Sequence, residues 1–354
     1  MFRKAIVLSI SALMLPALLS GTPALADDAF FKGREIKLIV GTGAGGGYDA
    51  YARLVARYLP KHMPGSPTFV VQTMPGASGV KAVNYLYAAA PKDGSVIATF
   101  NNSMAVYQSL GQPGIQFKCE ELSWIGSLSE VVNTVAVWHT AGVRTIEDAK
   151  HKEVIMGATG AGGTMATYPA LLNGALGTKF KIVTGYEAGN QVDMAMERGE
   201  VQGRGSNPWA SYKAVRPDWV RDGKIVPLVQ IGMTRDVDLP NVPRLVDLAT
   251  NDEQRRMFEF VSTDVAMERP YAGPPGMPAD ILQTYRRGFE QMAKDAEFLA
   301  VAEKQDMEIS LHTGEEVQKM VEYTTSTPAE IVAKVKAAAT LKDSGKASGT
   351  GGAQ

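Results

Sequence analysis

The chain of 354 residues has a single cysteine, Cys119, so no disulfide can form within it and apolar packing alone must hold it together. Histidine is also scarce. His62, His139, His151 and His312 lie far apart in the sequence, and with one thiol they make no metal-ligand cluster. Neither sign of charge dominates, since 36 Lys and Arg stand against 37 Asp and Glu. No basic block occurs and no basic residues interleave with aromatics, so nucleic acid is not expected as a partner. Beyond the N-terminus, no apolar run approaches the roughly 20 residues that a membrane-spanning helix needs.

The N-terminus itself reads as a secretory signal. Arg3 and Lys4 are followed by an apolar stretch over residues 5–19, and Ala24-Leu25-Ala26 places small residues where a signal peptidase reads. Cleavage is expected after Ala26, with residues 1–26 removed and the remainder exported. That remainder is longer than one hydrophobic core usually grows, so two lobes are expected.

Strand and helix patterns alternate along the chain. Residues 36–40 read as a buried strand, a glycine-rich run follows from Gly41 to Gly47, and residues 49–59 carry a helical apolar stripe. Strands at 68–72 and 95–100 flank a helix over 77–90. The pattern restarts with strands at 131–138 and 154–156, and a second glycine-rich run follows from Gly157 to Thr164. A helix to about Asn173, a strand at 180–184, a helix at 191–198 capped by Asn190, and a strand at 224–231 complete that half. Such alternation predicts an α/β fold with mixed, mostly parallel sheets. The last third is helical: Pro278 opens a helix, and Thr313-x-x-Glu316 and Thr327-x-x-Glu330 both fit capping boxes. Residues 339–354 are Lys, Ser, Gly and Ala-rich, with too little apolar surface to order them.

Each expected lobe thus carries one strand–glycine-loop–helix unit. A helix start presents unpaired N–H groups and a partial positive charge, and glycines let a ligand approach the backbone closely. Two such units facing one cleft suit a carboxylate or phosphate; the alternative is that the glycines only make tight turns. Gly41-x-Gly43-x-x-Gly46 also fits a dinucleotide fingerprint, but residues 58–66 contain no Asp or Glu to hold a ribose. In the second loop Gly163 stands where a phosphate-binding loop needs lysine. Neither a Gly-x-Ser-x-Gly elbow nor a His-Glu-x-x-His motif occurs, although a dispersed Ser–His–Asp triad has no fixed order and stays open. No cofactor and no catalytic residue are assigned. Asp49 reads first as a helix cap and second as an acceptor for a ligand hydroxyl or amine. Asn101-Asn102-Ser103 forms either the cleft edge or a solvated turn. Trp138 and Trp209 read first as core and second as walls for an aromatic ligand.

The chain resembles the extracytoplasmic receptors of tripartite tricarboxylate transporters, the Bug or TctC family. The resemblance rests on Gly45-Gly46-Gly47-x-Asp49 with Ala52-Arg53, Met74-Pro75-Gly76-Ala77-Ser78-Gly79, and Ala90-Pro91-Lys92-Asp93-Gly94. It continues through the second glycine run, Met196-Glu197-Arg198-Gly199-Glu200-Val201, Asp238-Leu239-Pro240-Asn241-Val242-Pro243 and Pro274-Pro275-Gly276-Met277-Pro278. It implies a type II periplasmic-binding-protein fold with an interdomain ligand cleft, formed by a first lobe of 27–129 plus 262–338 and a second of 130–261, linked by two crossings. It also implies a non-catalytic, monomeric periplasmic receptor that captures a small di-, tri- or aromatic carboxylate and passes it to a membrane permease. An exported hydrolase and a sensory binding protein are the alternatives. By position, the ligand would meet Gly43, Ala44, Gly45, Gly46, Gly47, Tyr48 and Asp49, then Asn101, Asn102 and Ser103. The second lobe would add Thr159, Gly160, Gly162, Gly163 and Thr164, with Tyr186, Gly189, Ser206 and Asn207.

Overall fold

In the computed structural model, which describes residues 30–45, 47–159, 163–186, 189–340 and 344–346, two six-stranded mixed sheets divide the chain. The first half supplies β1 (Glu35–Val40), α1 (Gly47–Tyr58), β2 (Thr68–Thr73), α2 (Val80–Ala88), β3 (Val96–Thr99), α3 (Met104–Ser109) and β4 (Ser123–Ser129). The middle supplies β5 (Asn133–Trp138), β6 (Val154–Ala158), α4 (Thr164–Leu176), β7 (Phe180–Thr184) and α5 (Gly189–Glu197). It continues with β8 (Gly203–Pro208), α6 (Trp209–Val215), β9 (Ile225–Ile231) and α7 (Asp252–Ala266). Then come β10 (Glu268–Gly273), α8 (Ala279–Met292), β11 (His312–Thr313), α9 (Gly314–Thr325), α10 (Ala329–Ala338) and β12 (Ser344–Lys346).

The first sheet runs β11-β4-β10-β3-β1-β2, parallel among β1, β2 and β3 and antiparallel where β10 joins β3 and β4. The second runs β12-β7-β6-β8-β5-β9, again parallel on one side and antiparallel around β5. The antiparallel part comes largely from β4, β8 and β10, which the strand–helix alternation did not include. Both faces of each sheet are covered. Ile36, Leu38 and Val40 of β1 point into one core and Ile39 into the other, as a period of two requires. Likewise Val135 and Val137 of β5 share a core on one face of the second sheet while Ala136 packs on the opposite face.

The chain passes between the lobes more often than expected, and the lobe limits shift accordingly. Residues 130–132 carry it from β4 to β5, and Val131 N–H donates to Val265 O at 3.2 Å. The return follows α7, not residue 262, because Phe258, Phe260, Val261 and Val265 belong to the second-lobe core. Ser129 pairs with Glu268 there, so the two crossings lie side by side. A third crossing at residues 326–328 takes α10 to the second lobe. Its Ile331, Val332 and Val335 make one apolar face and join that lobe's core, against α4 and α7. The second expected capping box is absent at this point. The helix begins at Ala329, and the Thr327 hydroxyl donates to Tyr323 O at 3.2 Å, closing the preceding helix instead. The box at Thr313 and Glu316 forms as read.

The tail expected to lack structure contributes β12, whose Ser344, Gly345 and Lys346 pair in parallel with Ile182, Val183 and Thr184. An open strand edge offers main-chain donors and acceptors, and pairing there needs no apolar side chain. Residues 1–26, the expected signal, lie outside the described residues, as do 341–343 and 347–354. Among the described residues no helix is long and apolar enough to cross a membrane.

Candidate functional site

The first glycine loop leaves β1 along its neighbour, with Gly41 N–H donating to Thr99 O at 2.9 Å. The chain then turns through Gly45, whose φ of +81° suits glycine. Gly45 N–H donates to Asp49 Oδ2 at 2.9 Å, and Arg53 Nε donates to the same oxygen at 3.0 Å. Asp49 is the third residue of α1, and its buried carboxylate is held below the usual range, first by Arg53 and then by the Gly45 amide. Asp49 therefore ties the loop to the helix start from inside the first turn, past the cap position expected for it. One loop amide is committed internally as a result. Asp49 Oδ1 is buried and has no hydrogen-bond partner among the described residues. Gly43, Ala44 and Gly47 are exposed, and Gly46 lies outside the described residues.

Tyr48 joins this loop to the next segment. Its hydroxyl accepts from Asn102 N–H at 3.1 Å and donates to Glu268 Oε2 at 3.3 Å, where β10 begins. Asn101 Oδ1 accepts from Ser103 N–H at 2.8 Å, so a side-chain turn fixes residues 101–103, with Asn101 and Asn102 half-buried. Ser103 is buried.

In the second lobe, Thr159 follows β6 and is half-buried, while Gly160 and Gly162 lie outside the described residues. Gly163 is extended and exposed, and its carbonyl accepts from the Ala166 and Thr167 amides at 2.9 Å as α4 begins at Thr164. Tyr186 N–H donates to Ala158 O at 3.4 Å, and burial pushes the Tyr186 phenol up. Gly189 opens α5, two residues earlier than the Asn190 cap implied. Ser206 and Asn207 are buried in β8, where Asn207 O accepts from the Thr134 hydroxyl at 3.0 Å. Trp209 packs in the core beside Tyr212, and Trp138 packs edge-on against Trp219 at 4.6 Å, so neither reads as a ligand wall.

Two arginines escaped the sequence reading. Arg204 donates from Nη1 to both Asp193 oxygens, at 2.9 and 3.0 Å, and from Nε to Ser206 O at 3.1 Å. Both side chains are nearly buried, and a Cβ on Gly189 would lie 2.3 Å from Arg204 Nη2. Arg269 stacks over Tyr48 and Tyr51, 4.4 and 5.0 Å from their ring centres, and pairs with Glu268. Its φ of +60° is uncommon for a side-chain-bearing residue. Both arginines come from strands that lacked an alternating apolar pattern, so only the basic residue types themselves could have marked them.

Across the lobes, Ser103 and Thr164 line one cavity of about 260 Å³ between α3 and α4. The first glycine loop, Tyr186, Gly189, Ser206 and Asn207 do not line it. Among the described residues no group of acids, histidines and thiols could hold a metal. His62 sits against Asp295 at 2.9 Å and His312 lies 3.7 Å from Glu130, and no histidine bonds to a serine hydroxyl among the described residues.

No family model matches the chain. The UPF0065 protein in the gbd 5′ region of Cupriavidus necator is 25% identical over 341 residues, spanning 94% of this chain and 96% of that protein. A TctC solute-binding protein from Polaromonas, solved without ligand, superposes with a TM-score of 0.68 at 20% identity, over 85% of this chain and 98% of its own. The chain is thus similar to UPF0065 proteins over nearly its whole length and shares its fold with TctC and Bug solute-binding proteins. An R. palustris protein solved with adipate has a TM-score of 0.59 at 18% identity, over 86% of this chain and 97% of its own. The chain has the two-lobed α/β fold of the periplasmic solute-binding proteins.

Proposed function

We propose that the protein is a periplasmic, non-catalytic receptor that closes its two lobes over a small carboxylate and delivers it to a tripartite tricarboxylate-type permease. The observation that carries this reading is the cavity shared by Ser103 and Thr164, one from each lobe, with no acidic side chain on its wall among the described residues. Hydroxyls and the α4 start suit a carboxylate. Adipate in the R. palustris protein is consistent with that ligand class. The N-terminal signal motif supports export, with residues 1–26 removed. We assign 27–129, 267–325 and the linking β10 to the first lobe, and 133–266 with α10 to the second, in a monomeric receptor. Of the binding set that the resemblance implies, Ser103 and Thr164 line this cavity; Gly43 to Asp49, Asn101, Asn102, Thr159 to Gly163, Tyr186, Gly189, Ser206 and Asn207 would join them only on lobe closure.

Each charge-assisted hydrogen bond contributes about 1.5–3 kcal/mol. Two or three of them, less the cost of association, reach micromolar affinity, about −8 kcal/mol. Thermal-shift measurements against di-, tri- and aromatic carboxylates test the reading. A true ligand raises the melting temperature with concentration. No shift across the whole panel would remove the basis for a carboxylate receptor.

A further inference from the structure

The cavity between the lobes continues beyond its polar end. From Ser103 it follows Val106, Tyr107 and Leu110; from Thr164 it follows Thr167, Tyr168 and Leu171. Both sets are spaced as one face of a helix, so two helices, one from each lobe, wall a single channel. Seven residues of α4 span about 10 Å. Phe260 and Val261 of α7 and Val335 of α10 close the side, making the middle of the channel apolar. Ser103 is only 6% exposed. Lys336 is the one charged residue on the wall, and its Nζ donates to Leu110 O at 3.1 Å.

We infer that this channel houses the apolar body of the ligand, so that the receptor selects a carboxylate carrying an aromatic ring or a short hydrocarbon chain over a small, fully polar diacid. The inference rests on the carboxylate-receptor reading above and names the ligand class within it. Size agrees: an apolar cavity of about 150 Å³ is enough to hold benzene, and this one measures about 260 Å³. A small diacid held at the Ser103 and Thr164 end is too short to reach Lys336 at the far end, and would bury its second carboxylate in the mostly apolar middle, beside Val106, Phe260 and Val261, at a desolvation cost. An apolar body meets those side chains favourably and leaves its carboxylate at the Ser103 and Thr164 end.

Titration calorimetry with benzoate, hexanoate, succinate and hexan-1-ol on the purified protein tests this. Benzoate or hexanoate binds at least tenfold more tightly than succinate. Val106→Trp and Thr167→Trp, which fill the channel from half-buried wall positions, each weaken that binding tenfold or more. The unliganded melting temperature reports whether each variant folds, and Val106→Phe serves if the larger ring does not. Succinate binding with no binding of benzoate or hexanoate overturns the inference and leaves the receptor reading standing. So does unchanged benzoate affinity in folded channel-filling variants. Hexan-1-ol binding as tightly as hexanoate removes the carboxylate from recognition and overturns both, whereas a failure of all four probes to bind overturns the inference and leaves the receptor reading to the wider panel.

Discussion

Asp49 Oδ2 lies 2.9 Å from the Gly45 amide and 3.0 Å from Arg53 Nε, so one carboxylate oxygen closes both the glycine loop and the first turn of α1. Its pKa is held below the ordinary value, by Arg53 and then by the amide. The ionised form is the one the fold favours. The stability it contributes is complete above the unfolded value near 4 and is lost as pH falls through the folded value. Asp49→Asn should lower stability by about 1 kcal/mol at neutral pH, the usual scale for a cap. The difference from wild type should shrink toward about pH 3. Urea midpoints at the two pH values measure it, and a constant difference would mean that Asp49 acts by shape and not by charge.

The Arg204–Asp193 pair is largely buried, with both side chains about one-tenth exposed. Removing one partner strands the other charge, so Arg204→Ala should cost about 3–5 kcal/mol. Replacing both, as Arg204→Met with Asp193→Leu, should recover much of that loss. Ligand affinity should not recover with it, because Arg204 also fixes Ser206 O and lies under Gly189. Denaturation and calorimetry on the three variants separate the pair's contribution to stability from its part in holding the loop.

The second sheet and α4 meet at Gly205. A Cβ there would lie 2.2 Å from Met165 O and 2.4 Å from the Pro169 ring. Pro169 has no N–H for the Met165 carbonyl four residues earlier, so the helix exposes backbone where β8 approaches most closely. Gly205→Ala should destabilise the protein by about 1–3 kcal/mol through overpacking. Its urea midpoint should fall while the slope of unfolding with urea stays constant, since the exposed surface is unchanged.

Much of the scaffold could be read from residue patterns, and the limits of that reading have physical causes. The β1–loop–α1 unit is legible because a run of apolar residues, then glycines, then Tyr51, Leu54, Val55 and Tyr58 at helical spacing each mark one element. β4 was missed since Ser-Trp-Ile-Gly-Ser-Leu-Ser is buried on both faces and does not alternate. β8, with Gly-Arg-Gly-Ser-Asn-Pro, has almost no apolar side chain to signal a strand, yet it is central and carries Arg204. The crossing of α10 to the second lobe was illegible because an amphipathic face shows that a helix packs, but not against which sheet. At the site, Ser103 and Thr164 were named from the sequence and line one cavity, whereas the apolar channel beyond them depends on two helices far apart in sequence.

Tyr48 connects the first loop, the Asn101–Ser103 turn and the start of β10 through a single hydroxyl, accepting from Asn102 N–H and reaching Glu268. Tyr48→Phe keeps the ring under Arg269, 4.4 Å from its guanidinium, and removes the hydrogen bonds of the hydroxyl. The stability loss should be about 1 kcal/mol, the scale of a neutral hydrogen bond. If the first loop and residues 101–103 bind the ligand together, affinity should fall several-fold, because two segments must then be ordered separately at the moment of binding. Calorimetry on the variant with whichever carboxylate the panel identifies reads that change. A variant that loses stability but keeps full affinity would place the tyrosine hydroxyl in the hinge alone and take Tyr48 out of the binding set.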